Sequence, residues 1–417
     1  MSIAIVGMLD EREEALGIIK DRIEQRGHKT LLIDISVGTG AIIPSLKADV
    51  SCRELAELAE KSGGMPIDKR NTATSIMAEG LRVKISALYG SGELQGMIAI
   101  TGMTGALISL TAMKALPFGV PKLLISGATA MPVHAGQFAN YFAVKDITVM
   151  HAVVDTVGMN ALVRTLAVNG ANAISGMVEG GKISLQEKKP SIAMTEFGFC
   201  DKGAHYIREI LEKDYEIVSF HATGFGDKAA MDLVAQGIFK AFVDLVPGAF
   251  SEYLLGGNRG IAGPDRLDVA SGLPIPYILC PGGFDMISCG PIERRDKNDP
   301  LWASRRLAER KLHVQDPPRV QARMSPDEME YIAVAAAERL NRYNRKARVK
   351  IVIPLRGFSS ISVEGGPLHD PASDKAFAVG LKRRLDPAIE VIEVDSDINS
   401  REFARAVADA LSQALGQ

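Results

Sequence analysis

The sequence predicts an α/β protein of two Rossmann-like, doubly wound domains, with mainly parallel sheets and an interdomain cleft. Three observations carry this. Short apolar runs recur along the chain, most of them continuous rather than alternating, which marks strands buried on both faces. Glycine-containing turns and stretches of helical period follow those runs. Near residue 180 the rhythm breaks in a polar segment and then starts again.

In the first half, the runs at 3–6, 30–35, 96–100 and 122–125 read as strands, with an edge strand at 147–150. Residues 11–26 read as the first helix and 155–176 as a long closing one. The segment VEGGKISLQEKKP at 178–190 is polar and glycine-containing. It sets the predicted domains at 1–180 and 190–417, with a linker at 181–189. In the second half, strands are expected at 191–194, 217–220, 241–243, 275–279, 349–353 and 389–394. Helices are expected at 202–212, 228–239, 326–341 and 401–415, the third announced by Ser325 followed by Pro326. Residues 291–324 are charged and proline-containing and read as a long surface excursion.

Composition narrows the function classes. The chain has 417 residues, with 48 basic against 50 acidic side chains. That balance argues against a nucleic-acid binder or a membrane-surface binder, both of which need a basic excess. No apolar run reaches the ~18 residues of a membrane span. The start, MSIAIVG, runs into a strand and lacks the pattern of a signal peptide, so a cytoplasmic protein is expected. Four cysteines, Cys52, Cys200, Cys280 and Cys289, form no C-x-x-C pair and read as reduced thiols.

In doubly wound sheets, ligands sit beyond the carboxyl ends of the strands, so the strand-to-helix turns matter most. Four stand out: GMLD at 7–10, TGMTGA at 101–106, FHATGFGDKA at 220–229 and PGGFDM at 281–286. Gly7, Gly102, Gly105, Gly224, Gly226, Gly282 and Gly283 let a backbone approach a ligand, and helix-start N–H groups attract anions. Thr101, Thr104, Thr223 and, at a further strand end, Ser359 add hydroxyls, and Lys228 adds a cation. His221 is the candidate acid/base, with Asp10 and Asp285 as its partner or as metal ligands. Asp227 reads as the N-cap of the helix near 228, or as a carboxylate that holds a metal ion. Two familiar motifs fail. GMVEGGK at 176–182 has P-loop spacing, but Ile183 replaces the magnesium-binding hydroxyl residue and a helix is expected before it. No G-x-G-x-x-G follows the first strand.

Several longer motifs are specific together: LPFGVPK at 116–122, DTVGMN at 155–160, FHATG at 220–224, Gly256-Gly257 through AGPDRL at 262–267, PGGFDM at 281–286 and Ile398-Asn399. On these the chain resembles, almost end to end, the family of the tomato mosaic virus resistance protein's N-terminal ATP-binding domain. The resemblance implies two Rossmann-like subdomains, self-association as a homodimer or larger assembly, and ATP with Mg2+ as ligand. The chain departs from the family at its turns. GMLDEREE at 7–14 stands where the family has Gly-Thr-x-Asp-Thr-Lys-Gly-Glu, and TGMTGA where it has Gly-Gly-Ser-Gly-Gly-Thr. Asp227 replaces a glycine and Asp397 a histidine. These changes suggest a retained scaffold with an altered ligand. Three readings stay open. One is a nucleotide-binding enzyme or sensor. Another is an ATP-independent enzyme that cleaves a small anionic substrate, by hydrolysis or at a C–C bond. The third is a non-enzymatic interaction module.

Overall fold

A five-stranded parallel sheet organises the N-terminal of two units, Met1–Leu185 and Gln186–Gln417. The computed structural model describes residues 2–62, 73–181, 189–260, 263–267 and 275–416. Most of the expected linker, 182–188, and Ala262 of the AGPDRL motif lie outside them.

The N-terminal unit runs β1 (Ser2–Gly7), α1 (Leu9–Gln25), β2 (Lys29–Asp34), α2 (Cys52–Lys61), α3 (Ala73–Gly90), β3 (Leu94–Ile100) and α4 (Met103–Ala115). It continues through β4 (Lys122–Ser126), α5 (Ala135–Phe142), β5 (Thr148–His151) and α6 (Ala161–Glu179). The strand order is β2-β1-β3-β4-β5, every pair parallel. The continuous apolar runs have the predicted cause. In β1, Ile3 and Ile5 point to a core shared with Leu16 and Ile19 of α1 and Val163 of α6. Ala4 and Val6 point to the opposite core, with Leu81 of α3 and Leu110 of α4. The closing helix starts later than its period suggests, because Asn160 caps it, accepting from the N–H groups of Leu162 and Val163 at 2.9 and 3.0 Å.

The C-terminal unit runs β6 (Ser191–Glu196), α7 (Asp201–Leu211), β7 (Glu216–His221), α8 (Phe225–Ala235), β8 (Ala241–Asp244), α9 (Gly248–Leu255) and β9 (Tyr277–Leu279). Then come β10 (Met286–Gly290), α10 (Pro300–Ser304), β11 (Leu312–Asp316), β12 (Arg319–Arg323), α11 (Pro326–Leu340) and β13 (Val349–Pro354). It ends with α12 (Pro371–Arg384), β14 (Glu390–Val394) and α13 (Arg401–Leu415). Six parallel strands lie in the order β14-β13-β9-β8-β6-β7. Helices α7 and α13 cover one face, while α8, α11 and α12 cover the other.

The stretch 291–324 is not a surface excursion. It carries two strands of an antiparallel sheet ordered β10-β12-β11. Val320 and Ala322 of β12 are fully buried, and Trp302 donates its indole N–H to the Cys289 carbonyl at 2.9 Å. Most of the charges that suggested a surface loop, Glu293 to Lys311, lie on the connection from β10 to β11, whereas Arg323 on β12 is buried.

Candidate functional site

Each unit has its own switch point, where the connections leaving neighbouring strands run in opposite directions. In the N-terminal unit it falls between β1 and β3. The two turns singled out in that half follow those two strands.

The α1 turn is closed by its own chain. Asp34 accepts from the Leu9 N–H at 3.2 Å, and Ser36 from the Asp10 N–H at 3.3 Å. Gly7 is there for packing, since a Cβ would sit 2.7 Å from a Leu16 methyl. The α4 turn differs. No side chain caps Gly102, and no acidic residue lies in the first turn of α4. The Arg12 guanidinium lies against it, with Nη2 2.9 Å from where a Gly102 Cβ would stand. Arg12 is buried and held by Thr156, whose hydroxyl accepts from Nε at 2.8 Å, and by an ion pair with Glu11. Thr101 is 1% exposed and its hydroxyl has no hydrogen-bond partner among the described residues. Asp10 accepts from the Gly40 N–H at 2.9 Å through one oxygen, while the other is buried without a partner among the described residues. Thr104 is half-buried on α4. Gly105 is a packing glycine, since a Cβ would meet Thr101 at 2.8 Å.

In the C-terminal unit the switch falls between β6 and β8. A cavity of about 500 Å³ opens beside the ends of β6 and β7. His221 and Thr223 line it, together with Phe197, Phe199, Asn258, Arg259 and the face of the antiparallel sheet carrying Ser288 and Gln321. His221 is exposed, stacks on Phe197 with ring centres 5.9 Å apart, and lies 3.4 Å from the Glu196 carbonyl. Arg259 lies over the same Phe197 ring at 4.6 Å and is paired to the buried Glu252 at 2.9 Å. Sequence reasoning missed most of this wall because it rests on the unforeseen antiparallel sheet.

The glycines of FHATGFG shape the turn. Gly224 has φ +98°, open to glycine, and a Cβ on Gly226 would sit 2.1 Å from the His221 carbonyl oxygen. Helix α8 therefore begins at Phe225, three residues before the sequence suggests. Asp227 is not its N-cap but reaches back from the first turn to the Gly224 N–H at 2.8 Å. The cation at its other oxygen is Arg266, Nε to Oδ1 2.8 Å. Arg266 also grips Asp244 with two bonds of 2.7 and 2.8 Å, and Asp244 accepts from Thr195 at 2.7 Å and from the Tyr277 hydroxyl. Burial alone would pull the Arg266 pKa down; the two carboxylates carry it well above its ordinary value. Lys228 is half-buried on α8 and is not part of the cavity wall.

Asp285 and Ser359, picked separately, meet: the Ser359 hydroxyl donates to Asp285 at 2.6 Å, both fully buried. Arg323 approaches the same carboxylate at 3.7 Å and bonds Asp374. Asp285 thus belongs to an interior cluster and is absent from the His221 cavity wall. Gly282 and Gly283 press this turn onto the end of β8, a Gly282 Cβ standing 2.3 Å from the Leu245 carbonyl oxygen. Among the described residues, no group of three His, Cys, Asp or Glu side chains is placed to hold a metal, and no helix is long and apolar enough to cross a membrane.

The longer motifs hold backbone in place. Lys122 is fully buried and donates to the Pro117 and Val120 carbonyls and to Asp146. Asn399 accepts from the Gly203 N–H and donates to the Phe199 carbonyl, each at 3.0 Å.

Relatives share the scaffold over its length. A UPF0261 protein of Clostridium tetani is 33% identical over 413 residues, 98% of each chain. UPF0261 protein mlr3387 of Mesorhizobium japonicum is 29% identical over 97% of each. The ToMV resistance protein Tm-1(GCR237) of Solanum lycopersicum is 29% identical over 88% of this chain and 47% of its own, so this chain spans about half of the tomato protein. The models of the uncharacterised protein family UPF0261 match as its N-terminal domain over residues 1–182 and as its C-terminal domain over 189–415, and the chain belongs to that family.

Proposed function

We propose that the chain binds a nucleotide, with the phosphates on the first turn of α4. The observation that carries this reading is the grouping at the β1/β3 switch point. A helix start without a side-chain cap, the buried Arg12 guanidinium and the partnerless Thr101 hydroxyl meet there. Helix-start N–H groups and a guanidinium both favour an anion. A buried hydroxyl with no partner costs free energy unless a ligand satisfies it.

The family resemblance supplies ATP with Mg2+ as the nucleotide. Mg2+ takes oxygen ligands and commonly pairs one or two carboxylates with substrate phosphates. The partnerless Asp10 oxygen fits that role, and with the phosphates no protein-only cluster is required. Asp10 would hold the cation, Arg12 and the α4 N–H groups the phosphates, and Thr101 would orient them. Titration of wild type and Thr101→Val with Mg-ATP tests this: the variant should bind about tenfold more weakly, a loss near 1.4 kcal/mol. Equal affinity would contradict it.

A further inference from the structure

We infer that the cavity beside His221 binds a polyhydroxylated carboxylate, a sugar acid or a close relative, independently of the nucleotide. Among the described residues, its wall carries two guanidiniums, Arg259 and Arg319, and one imidazole, His221, but no Asp or Glu. The carboxylates that pair with these arginines, Glu252 and Asp316, are not among the lining residues, and each is bonded to the Nε and Nη2 edge of its guanidinium. A cavity lined by cationic side chains, with their carboxylate partners off the wall, favours an anionic guest.

The second observation is Gln321. It is 4% exposed, lines the cavity, and its side-chain oxygen has no hydrogen-bond partner among the described residues. A buried amide oxygen left this way is costly unless a donor arrives. Gln321 occupies the central strand of the antiparallel sheet, directly opposite Ser288 on β10 and His313 on β11. Residues paired across strands share a face, so the Gln321 amide and the Ser288 hydroxyl stand side by side on the cavity wall, with His313 next in the row but off the wall. The guest must therefore offer hydroxyl donors as well as an acid. Phe199, held edge-to-face by His313 with centres 5.6 Å apart, and Phe197 supply apolar surface for the C–H face of a ring or carbon chain. The volume of about 500 Å³ suits a molecule of that size.

The test is calorimetric titration of the full chain, free of nucleotide, with D-gluconate and D-glucuronate. Succinate, an acid without hydroxyls, and myo-inositol, hydroxyls without an acid, are the comparators. The expected result is binding of at least one sugar acid, at least tenfold tighter than either comparator. Gln321→Leu should weaken it tenfold or more while leaving the melting temperature equal to or above wild type. Ser288→Ala, whose backbone rather than side chain holds Glu252, is the second variant and should weaken binding in the same direction. No binding of either sugar acid at 10 mM overturns the assignment, as does equal affinity for succinate or inositol, or a sugar-acid affinity that folded Gln321→Leu retains. Because all these residues lie in the C-terminal unit, failure here is separate from failure of the nucleotide reading.

Discussion

Arg266 and Asp227 form a buried ion pair, with side chains 2% and 0% exposed. The pair joins the turn after β7 to the end of β8, because Arg266 also holds Asp244. Every charge in this group has a partner, so removing one partner strands the others. Arg266→Met should cost about 3–5 kcal/mol in chemical denaturation, the usual loss when a buried charge is left alone. A chelator should leave the wild-type midpoint unchanged, since the cation beside Asp227 is a guanidinium. A loss under about 1 kcal/mol in Arg266→Met would contradict this account.

Gly226 tests whether the FHATGFG turn is shaped by close approach. An added Cβ would meet the His221 carbonyl oxygen at 2.1 Å. Gly226→Ala should destabilise by about 1–3 kcal/mol, the cost of overpacking. Gly136, in α5, has nothing within 4 Å of its Cβ position. Gly136→Ala should stabilise by up to about 1 kcal/mol through helix propensity. Equal effects at the two positions would show that close approach is not the cause.

How much of this was legible follows from what each residue senses locally. The parallel strands were readable because Ile3 to Val6 and their counterparts must be apolar on both faces. Helix α13 was readable from its period, and Ser400 caps it, accepting from the Phe403 N–H at 3.0 Å. The antiparallel sheet was not. Its central strand, RVQAR at 319–323, alternates polar and apolar, and its charged ends resemble a loop. The signals were that alternation and the Pro317-Pro318 turn before it. Gln321 could not be singled out, because nothing local tells a buried amide from an exposed one. Asp227 misled for a related reason. Position before a helix suggested a cap, but its charge partner, Arg266, lies 39 residues away.

Asp374 gives a pH prediction. Burial pushes its carboxyl up to about 6, against the opposing pull of Arg323. The folded protein thus binds this proton more tightly than the unfolded chain. Its contribution to stability is full below the unfolded pKa and is lost as pH rises through about 6. From an ordinary aspartate value of 3.8, the window is pH 4 to 6 and the change at most about 3 kcal/mol. Asp374→Asn should remove this slope. Urea midpoints measured across pH 4–7 for both proteins check it, and parallel curves would contradict it.

The cysteines give a simpler check. Cys200, Cys280 and Cys289 are buried, and burial pushes the Cys289 thiol up to about 12. Only Cys52 is partly exposed. A thiol reagent at pH 8 should modify one cysteine at most in native protein and four after denaturation. Rapid native modification of two or more would contradict the buried placement.

The central claim is the nucleotide at the β1/β3 switch point, and a thermal-shift titration tests it most directly. Metal-free protein would be titrated with ATP, ADP and GTP, each with and without magnesium, alongside Thr101→Val. A ligand that binds only the folded state adds about 2.7 kcal/mol of stability at a hundredfold excess over its Kd. The account predicts a magnesium-dependent rise with ATP in wild type. It predicts a higher starting melting temperature in Thr101→Val, which no longer buries a partnerless hydroxyl, and a much smaller rise. No rise with any nucleotide at millimolar concentration, or the same rise in both proteins, would contradict it.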